Sequence, residues 1–177
     1  MPVQQRESPR APALDRKNGA MTEGESLVFV YGTLRKGGVR ALPMLAPHSR
    51  DLGMAVIRGT LFDLGAFPGL VLGALGHALG HDAGDVVGEL YEVDGTTLAR
   101  LDEIEQYFPD RPEGSYYLRL PATVTQSGET VSCWTYEIRP ERFTLGPRVE
   151  SGDWISYFAA KTDIPEERWP DGSTIEM

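Results

Sequence analysis

The sequence predicts an α+β protein in which a small mixed or antiparallel β-sheet curls toward a barrel flanked by short helices. Most of the regular segments between residues 27 and 138 are short apolar or alternating runs that are typical of strands. Residues 96–106 switch to helical periodicity, with Asp94 or Thr96 as the candidate cap. The predicted order β, β, β, α, β, β contains no βαβ alternation, which argues against a parallel α/β sheet.

The predicted strands are bounded by glycine, proline and polar turn residues. They are residues 27–31, 54–64, 86–93, 116–125 and 130–138. Ser127-Gly128 predicts a hairpin between the last two strands, and Gly59 predicts a bulge or bend in the second.

The connecting segments are less regular. Residues 39–46 predict a helix of about one turn, because Pro43 limits its length. Phe67-Pro68-Gly69 predicts a turn, and the glycine-rich residues 73–85 predict a loop. Residues 149–160 fit either a helix or a strand.

Length and composition indicate one globular domain with two polar ends. The chain has 177 residues, of which 41% are hydrophobic and 24% are charged. We expect a disordered N-terminal tail over residues 1–22, a folded domain over 23–164 and an irregular C-terminal tail over 165–177.

The charge and cysteine content narrow the classes of function. A net charge of −9 argues against nucleic acid or an anionic membrane as partner. No apolar run approaches the roughly 18 residues of a membrane span, and no secretory h-region precedes Met21. The single cysteine, Cys133, excludes a disulfide framework and favours a cytoplasmic location. The class of function that remains is chemistry on a small molecule. The sequence leaves the oligomeric state open.

Glu105 is a carboxylate on the apolar side of the predicted helix. At about 100° per residue it falls between Leu98 and Leu101. Burial raises the pKa of a carboxyl group toward neutrality, which suits a general acid or base. The structural alternative is a side chain that reaches water at the helix end or pairs with Arg111 or Arg119.

A glycine-containing loop follows the first strand directly. Successive amides over residues 31–34 could form a concavity for a carboxylate or an oxyanion. The loop is not a Walker motif, because Gly38 and Val39 stand where Lys and Ser/Thr are required. Arg35 and Lys36 are expected to be a solvated pair, or to steer an anionic substrate.

The remaining candidates favour structural roles. His77 and His81 have helical metal-ligand spacing, but the glycines around them argue against a helix, and we expect no metal site. Cys133 alternates with Val131 and is expected to be packed. Tyr117 shares a strand face with Arg119, and Trp134 shares one with Tyr136. If the sheet closes, the tyrosine hydroxyls are expected to need partners and to line a pocket.

Several separated motifs in this order resemble the gamma-glutamylcyclotransferase-like superfamily, which includes gamma-glutamylamine and butirosin-biosynthesis cyclotransferases. The resemblance covers about residues 27–140. The motifs are Val30-Tyr31-Gly32-Thr33-Leu34-Arg35, residues 59–65 with Phe67-Pro68-Gly69, Val87-Gly88-Glu89-Leu90-Tyr91, Leu101-Asp102-Glu103-Ile104-Glu105, Tyr117-Leu118-Arg119 and Trp134-Thr135-Tyr136.

The resemblance implies a fold, a reaction and a set of site residues. The fold is a small β-barrel flanked by helices. The reaction, of the acyltransferase or lyase class, releases 5-oxoproline and a free amine from a γ-glutamyl amine or amide without a metal or organic cofactor. Glu105 would be the catalytic acid and base. The substrate-binding residues would be Tyr31, Gly32, Thr33, Leu34, Tyr117 and Tyr136.

The chain departs from the family pattern at two places. Gln106 stands where the family often has glycine, and an unusually long insert follows at residues 107–115. The leaving amine stays open among an amino acid, a lysine side chain, a polyamine and a modified antibiotic. Two other classes of function compete: a non-catalytic module that binds a small anion in the same pocket, and an interaction scaffold.

Overall fold

The computed structural model describes residues 24–175, so the predicted disordered tail, residues 1–22, lies outside the described residues. Within residues 24–175 the chain forms six strands and four short α-helices, with 3₁₀ turns at Pro112–Gly114 and Pro140–Arg142. In chain order the elements are β1 (Ser26–Val30), α1 (Leu42–Leu45), β2 (Arg50–Asp63), β3 (Pro68–Leu72), α2 (Gly73–Ala78), β4 (Gly84–Val93), α3 (Gly95–Ile104), β5 (Tyr117–Gln126), β6 (Glu129–Ile138) and α4 (Trp154–Ala159).

Five of these strands close into a barrel, which confirms the predicted fold class. The order of strands in the sheet is β3-β2-β4-β1-β6-β5, and β2 also pairs with β5 through Val56 and Thr125. The β1–β6 pairing is parallel, and the other pairings are antiparallel. Strand β3 lies beside β2, outside the closed ring.

Both faces of the sheet are buried. Successive residues of β1 point to opposite faces, so Leu27 and Phe29 join one buried cluster while Val28 and Val30 join another. The first cluster includes a tryptophan of α4, and the second includes a leucine of α3. Helices α3 and α4 therefore pack against residues of opposite faces of the sheet.

Strand β3 is absent from the sequence prediction, which placed a turn at Phe67-Pro68-Gly69. The chain turns earlier, where the Leu64 amide donates to the Phe67 carbonyl at 3.0 Å, and Pro68 already pairs with Asp63 of β2. Proline is compatible with this place because the first residue of a strand outside the ring need not donate to the ladder.

The predicted loop over residues 73–85 is also wrong in part, because α2 forms at Gly73–Ala78 despite its glycines. The ring of His81 packs edge-on against Phe62, with 5.1 Å between centroids. Residues 24–175 contain no group of three or more His, Cys, Asp or Glu side chains suited to a metal ion.

Gly59 allows a close approach between strands and is not the site of a bulge. The register of β2 against β4 shifts between Asp51 and Met54, whereas Gly59 pairs regularly with Leu72 and Gly84. A Cβ atom at Gly59 would lie 2.9 Å from the Val71 carbonyl oxygen.

Other local predictions are confirmed: the one-turn helix is α1, and Asp94 caps α3 by accepting from the Thr97 amide at 2.7 Å. Residues 149–160, which fitted either a helix or a strand, contain α4. Ser127 and Gly128 both have positive φ, as a tight hairpin turn requires. Cys133 is a buried free cysteine. No helix among residues 24–175 is long and apolar enough to cross a membrane.

Candidate active site

All seven residues that the sequence singled out as site residues lie on the wall of one pocket. They are Tyr31, Gly32, Thr33, Leu34, Glu105, Tyr117 and Tyr136. Three distant parts of the chain supply them: the loop after β1, the end of α3, and the hairpin of β5 and β6. The fold therefore brings together residues separated by more than a hundred positions in the sequence.

The loop after β1 is a compact turn with free amide donors. The Arg35 amide donates to the Gly32 carbonyl at 3.0 Å, and the Leu42 amide donates to the Leu34 carbonyl at 2.8 Å. Within residues 24–175, no acceptor meets the backbone amides of Gly32, Thr33 or Leu34. Three neighbouring donors on a pocket wall are suited to an anion or an oxyanion.

Glycine is required at Gly32 because the loop passes close to the start of β3. A Cβ atom there would lie 2.6 Å from Cγ of Pro68, a ring that cannot move aside freely. Pro68 lines the same pocket. The glycine therefore lets the loop backbone, with its amides, form the wall beside Pro68.

Arg35 is buried and connects this loop to Asp153 and Glu89, so it is not the solvated residue that we expected. Its side chain is 6% exposed, and Nη1 donates to Asp153 at 2.7 Å. Its Nε lies 3.6 Å from Glu89, whose other oxygen accepts from the Lys36 amide at 2.9 Å. The Lys36 side chain is exposed and pairs with Asp51, so only this half of the predicted solvated pair is correct.

Glu105 stands immediately after α3, as its C-terminal cap. The Gln106 amide donates to the Glu103 carbonyl at 3.1 Å, and the Tyr107 amide donates to the Asp102 carbonyl at 2.8 Å. These two bonds form a Schellman motif, in which the residue after the cap adopts a left-handed conformation. Gln106 has φ of 51°, which explains why glycine is suited to this place.

The pocket gives the Glu105 carboxyl group an unusual proton affinity. Burial raises its pKa from 4.5 to about 7, the Arg40 guanidinium opposes that rise, and the Asp102 carboxylate adds to it. Near pH 7 the group therefore exists in both protonation states. A carboxyl group in this condition can accept a proton and later return it.

The two arginines proposed as structural partners of Glu105 contact other groups. Arg119 donates to Asp102 at 2.9 Å, and its guanidinium lies over Trp134. The Arg111 guanidinium lies over the ring of Phe108. The charge that acts on Glu105 comes from Arg40 instead.

The three tyrosines of the pocket have partners for their hydroxyl groups. Tyr31 donates to the Tyr136 carbonyl at 2.7 Å, and Tyr117 donates to the Pro68 carbonyl at 2.9 Å. Tyr136 donates to Asp102 at 2.7 Å. Burial raises the pKa of all three hydroxyls well above its ordinary value. These side chains line the pocket together with apolar residues such as Phe67 and Trp169.

Sequence reasoning did not name every pocket residue, and Arg40, Trp169 and Ile175 are among those it missed. No motif or periodicity in the sequence marked Arg40 as a site residue. Trp169 did offer a signal, because a large aromatic residue in an otherwise polar, proline-rich tail is costly unless it is buried. It stacks on Tyr116 with 5.0 Å between ring centroids. None of the pocket residues comes from the insert at residues 107–115.

Comparison with known families gives a match over most of the barrel. Residues 28–156 match the family model described as gamma-glutamyl cyclotransferase, AIG2-like. The gamma-L-glutamyl-butirosin B gamma-glutamyl cyclotransferase of Niallia circulans is 34% identical over 78% of this chain and 85% of its own length. A putative gamma-glutamylcyclotransferase of Vibrio cholerae is 39% identical over 73% of this chain and 96% of its own length.

Solved structures share the fold. YkqA from Bacillus subtilis superposes with a TM-score of 0.57 at 26% identity over 78% of this chain, which spans 44% of YkqA. An uncharacterised protein from Pyrococcus horikoshii superposes with a TM-score of 0.53 at 27% identity, covering 76% of this chain and 93% of that protein.

Proposed function

Because the chain belongs to the AIG2-like gamma-glutamyl cyclotransferase family, we propose that it converts a γ-glutamyl amine or amide to 5-oxoproline and a free amine. The observation that carries this proposal is the Glu105 carboxyl group, with a pKa of about 7, in a pocket whose wall also presents three free amides. The substrate itself contains both reacting groups, so the proposed reaction requires no metal or organic cofactor.

The reaction closes a five-membered ring within the substrate. Glu105 takes a proton from the α-ammonium group, and the freed amine attacks the γ-carbonyl carbon. A C–N bond forms as the carbonyl electrons move to oxygen. After attack the ring nitrogen still carries two hydrogens. The intermediate collapses as Glu105 returns its proton to the leaving nitrogen and the bond from the carbon to that nitrogen breaks. The second hydrogen leaves the ring nitrogen as a proton and passes to the released amine. The products are 5-oxoproline and the free amine, and Glu105 ends as it began.

The proton affinities of the two partners are matched. An α-amine has a pKa near 8 in model peptides, and Glu105 has a pKa of about 7. A carboxyl group with the ordinary value of 4.5 would be a much weaker base toward the same ammonium group. General acid and base catalysis of this kind contributes about 10²–10⁴-fold.

Orientation supplies the rest of the proposed rate enhancement. The pocket holds a flexible glutamyl chain in a folded conformation, and effects of this kind contribute up to roughly 7–11 kcal/mol in oriented intramolecular reactions. The free amides of the Gly32, Thr33 and Leu34 loop are suited to the negative charge that develops on the γ-carbonyl oxygen.

The test is an incubation of the purified protein with a pool of γ-glutamyl amines and amides, read by mass spectrometry for 5-oxoproline. The pool contains γ-glutamyl amino acids, γ-glutamyl-lysine, γ-glutamyl polyamines and, because of the name of the Niallia relative, γ-L-glutamyl-butirosin B. Release of 5-oxoproline supports the proposal, and the amine released with it identifies the substrate.

The same pool separates the competing functions. A shift in melting temperature without 5-oxoproline release is the result expected of a non-catalytic binding module. No shift and no release is the result expected of an interaction scaffold, in which Glu105 would be exposed. Glu105 is instead partly buried in the pocket.

A further inference from the structure

Arg40 places a positive charge deep in the pocket. Its side chain is 3% exposed, and it lines the same pocket as Glu105. The backbone holds it there, because the Arg40 amide donates to the Thr33 carbonyl at 3.0 Å. A guanidinium at this depth is costly unless acceptors meet its N–H groups.

The hydrogen bonds of this guanidinium are incomplete. Nη2 of Arg40 donates to the carboxylate of Glu167, but Nε is buried and has no acceptor within residues 24–175. Arg50 shows the complete arrangement in the same molecule: its Nε and Nη2 donate to the two oxygens of Glu92, both at 2.9 Å. The edge of Arg40 that binds carboxylates in a bidentate way is therefore only half used.

Glu167 is a partner that can leave. Its side chain is 32% exposed, so its carboxylate returns to water at little cost, whereas Arg40 cannot. Glu167 also lies outside residues 28–156, the part of the chain that matches the family. The buried Arg40 guanidinium therefore requires a carboxylate partner at all times, and its present partner, Glu167, can be replaced by another carboxylate.

The substrate of the proposed reaction brings a carboxylate to this point. Its α-amine and α-carboxylate are attached to the same carbon atom. If the amine reaches Glu105, the carboxylate must lie beside it. Arg40 is the arginine whose charge acts on Glu105, so it is in the right part of the pocket.

We propose that Arg40 binds the α-carboxylate of the γ-glutamyl group through Nε and Nη2, and that Glu167 holds this position until the substrate replaces it. This inference rests on the proposed function. It assigns the loop amides to the oxyanion, because Arg40 takes the carboxylate. Arg40 is thus the residue that selects α-carboxylate-bearing substrates, and Glu167 is an internal competitor for them.

The test measures equilibrium binding and does not depend on turnover. Isothermal titration calorimetry compares 5-oxoproline with pyrrolidin-2-one, which has the same ring without the carboxylate. We expect wild type to prefer 5-oxoproline, and Arg40→Gln to lose about 10- to 100-fold in affinity for 5-oxoproline, with little change for pyrrolidin-2-one. The double variant Arg40→Gln/Glu167→Gln, which leaves no unpaired charge, should show the same loss.

Glu167→Gln tests the competitor. Its affinity for 5-oxoproline should rise by up to about tenfold, the gain expected when a position occupied nine-tenths of the time becomes free. The matched control is Glu166→Gln, since Glu166 is the neighbouring exposed carboxylate and pairs with Arg168. It should bind 5-oxoproline as wild type does.

Equal affinity of wild type and Arg40→Gln for 5-oxoproline would overturn the inference, as would no binding of 5-oxoproline to either wild type or Glu167→Gln. Weaker binding by Glu167→Gln would show that the ion pair only holds the pocket together. Arg40-dependent binding without release of 5-oxoproline from the pool would reject the proposed catalysis alone. Release with Arg40-independent binding would reject the inference alone.

Discussion

The proton affinity of Glu105 links the stability of the pocket to the proposed chemistry. Burial raises its pKa, and two charged neighbours act in opposite directions: Asp102 adds to the rise and Arg40 limits it. Asp102 is itself held by Arg119 and Tyr136, so its charge has a fixed place. The pKa of Glu105 is therefore adjustable by substitutions that do not touch the carboxyl group.

The pH dependence of the reaction should follow Glu105. We expect kcat/KM to rise with pH through about 7, because Glu105 must lose its proton to act as base. Asp102→Asn removes a negative charge that raises the pKa of Glu105, so the rise should move to lower pH. The measurement is a pH profile of kcat/KM for both proteins.

Glu103→Gln is the control for this profile, since Glu103 is an exposed carboxylate of the same helix. It should leave the midpoint where wild type has it. A wild-type midpoint near 4.5, the ordinary value for a glutamate, would contradict the assignment of Glu105 as the base.

Glu105 should also make the protein less stable as the pH rises. Between pH 4.5 and about 7, the folded protein keeps a proton on Glu105 that the unfolded chain has released. The contribution of this group to the free energy of unfolding therefore falls as the pH rises through that window. Glu105→Gln, which cannot ionise, should be more stable than wild type at pH 8 by about 1–3 kcal/mol.

The advantage of Glu105→Gln should shrink toward pH 5, where wild type holds its proton. Urea unfolding at the two pH values measures both differences. Glu103→Gln should show no such pH-dependent difference. A Glu105→Gln variant that is less stable than wild type at pH 8 would contradict the burial of the charge.

The end of α3 decides where Glu105 points. Helical periodicity placed Glu105 on the apolar side of a helix over residues 96–106, although α3 ends at Ile104. The predicted direction of the Glu105 side chain was still correct in outline, because a C-cap residue follows the helical path closely enough to stay on the same side of the helix. Gln106 stands where the family often has glycine, and the structure shows that this residue adopts a left-handed backbone conformation, which the sequence could not show.

Gln106→Gly should stabilise the protein. Glycine adopts positive φ without steric cost, so we expect a gain of about 0.5–1 kcal/mol in the free energy of unfolding, after the entropic cost of glycine. Gln106→Ala keeps the Cβ atom and should give no gain. Urea unfolding of the three proteins measures this. If both variants lose stability to the same extent, the hydrogen bond that the Gln106 side chain donates to the Glu103 carbonyl matters more than the φ of this residue.

The elements that sequence reasoning missed are those whose formation depends on neighbours. Strand β3 is five residues long and begins with proline, a pattern typical of a turn. It forms because β2 extends to Asp63 and offers a free edge. Helix α2 is short and rich in glycine, and it forms on the surface that the β2–β3 pair provides. The helix lies so close to this surface that a Cβ atom at Gly76 would be 3.3 Å from the Thr60 hydroxyl oxygen.

At the scale of the whole molecule, the barrel could be predicted from the sequence but its closure could not. The order and type of the barrel strands follow from apolar alternation and turn residues. Closure rests on the contact between β2 and β5, where Val56 pairs with Thr125, 69 positions away, and Gln126 donates to carbonyl groups of β2. None of these residues carries a local signal for the contact. The family resemblance, rather than periodicity, supplied the closed form.

The described C-terminal residues, 165–175, also make contacts with distant parts of the chain that the sequence did not predict. They contain little regular structure, a single bridge between Arg168 and Thr174, and were expected to be an irregular tail. Yet Trp169 and Ile175 are buried against the pocket, and Glu167 reaches Arg40. Composition predicts irregular backbone here, but it does not show what an irregular segment packs against.

The most direct test of the central claim is the parallel measurement of both products for wild type, Glu105→Gln and Glu103→Gln on the γ-glutamyl substrate that the pool identifies. We predict that wild type and Glu103→Gln release 5-oxoproline and amine in equal amounts at similar rates, while Glu105→Gln binds the substrate but is slower by at least about 100-fold. Turnover by Glu105→Gln within a few-fold of wild type would contradict the account.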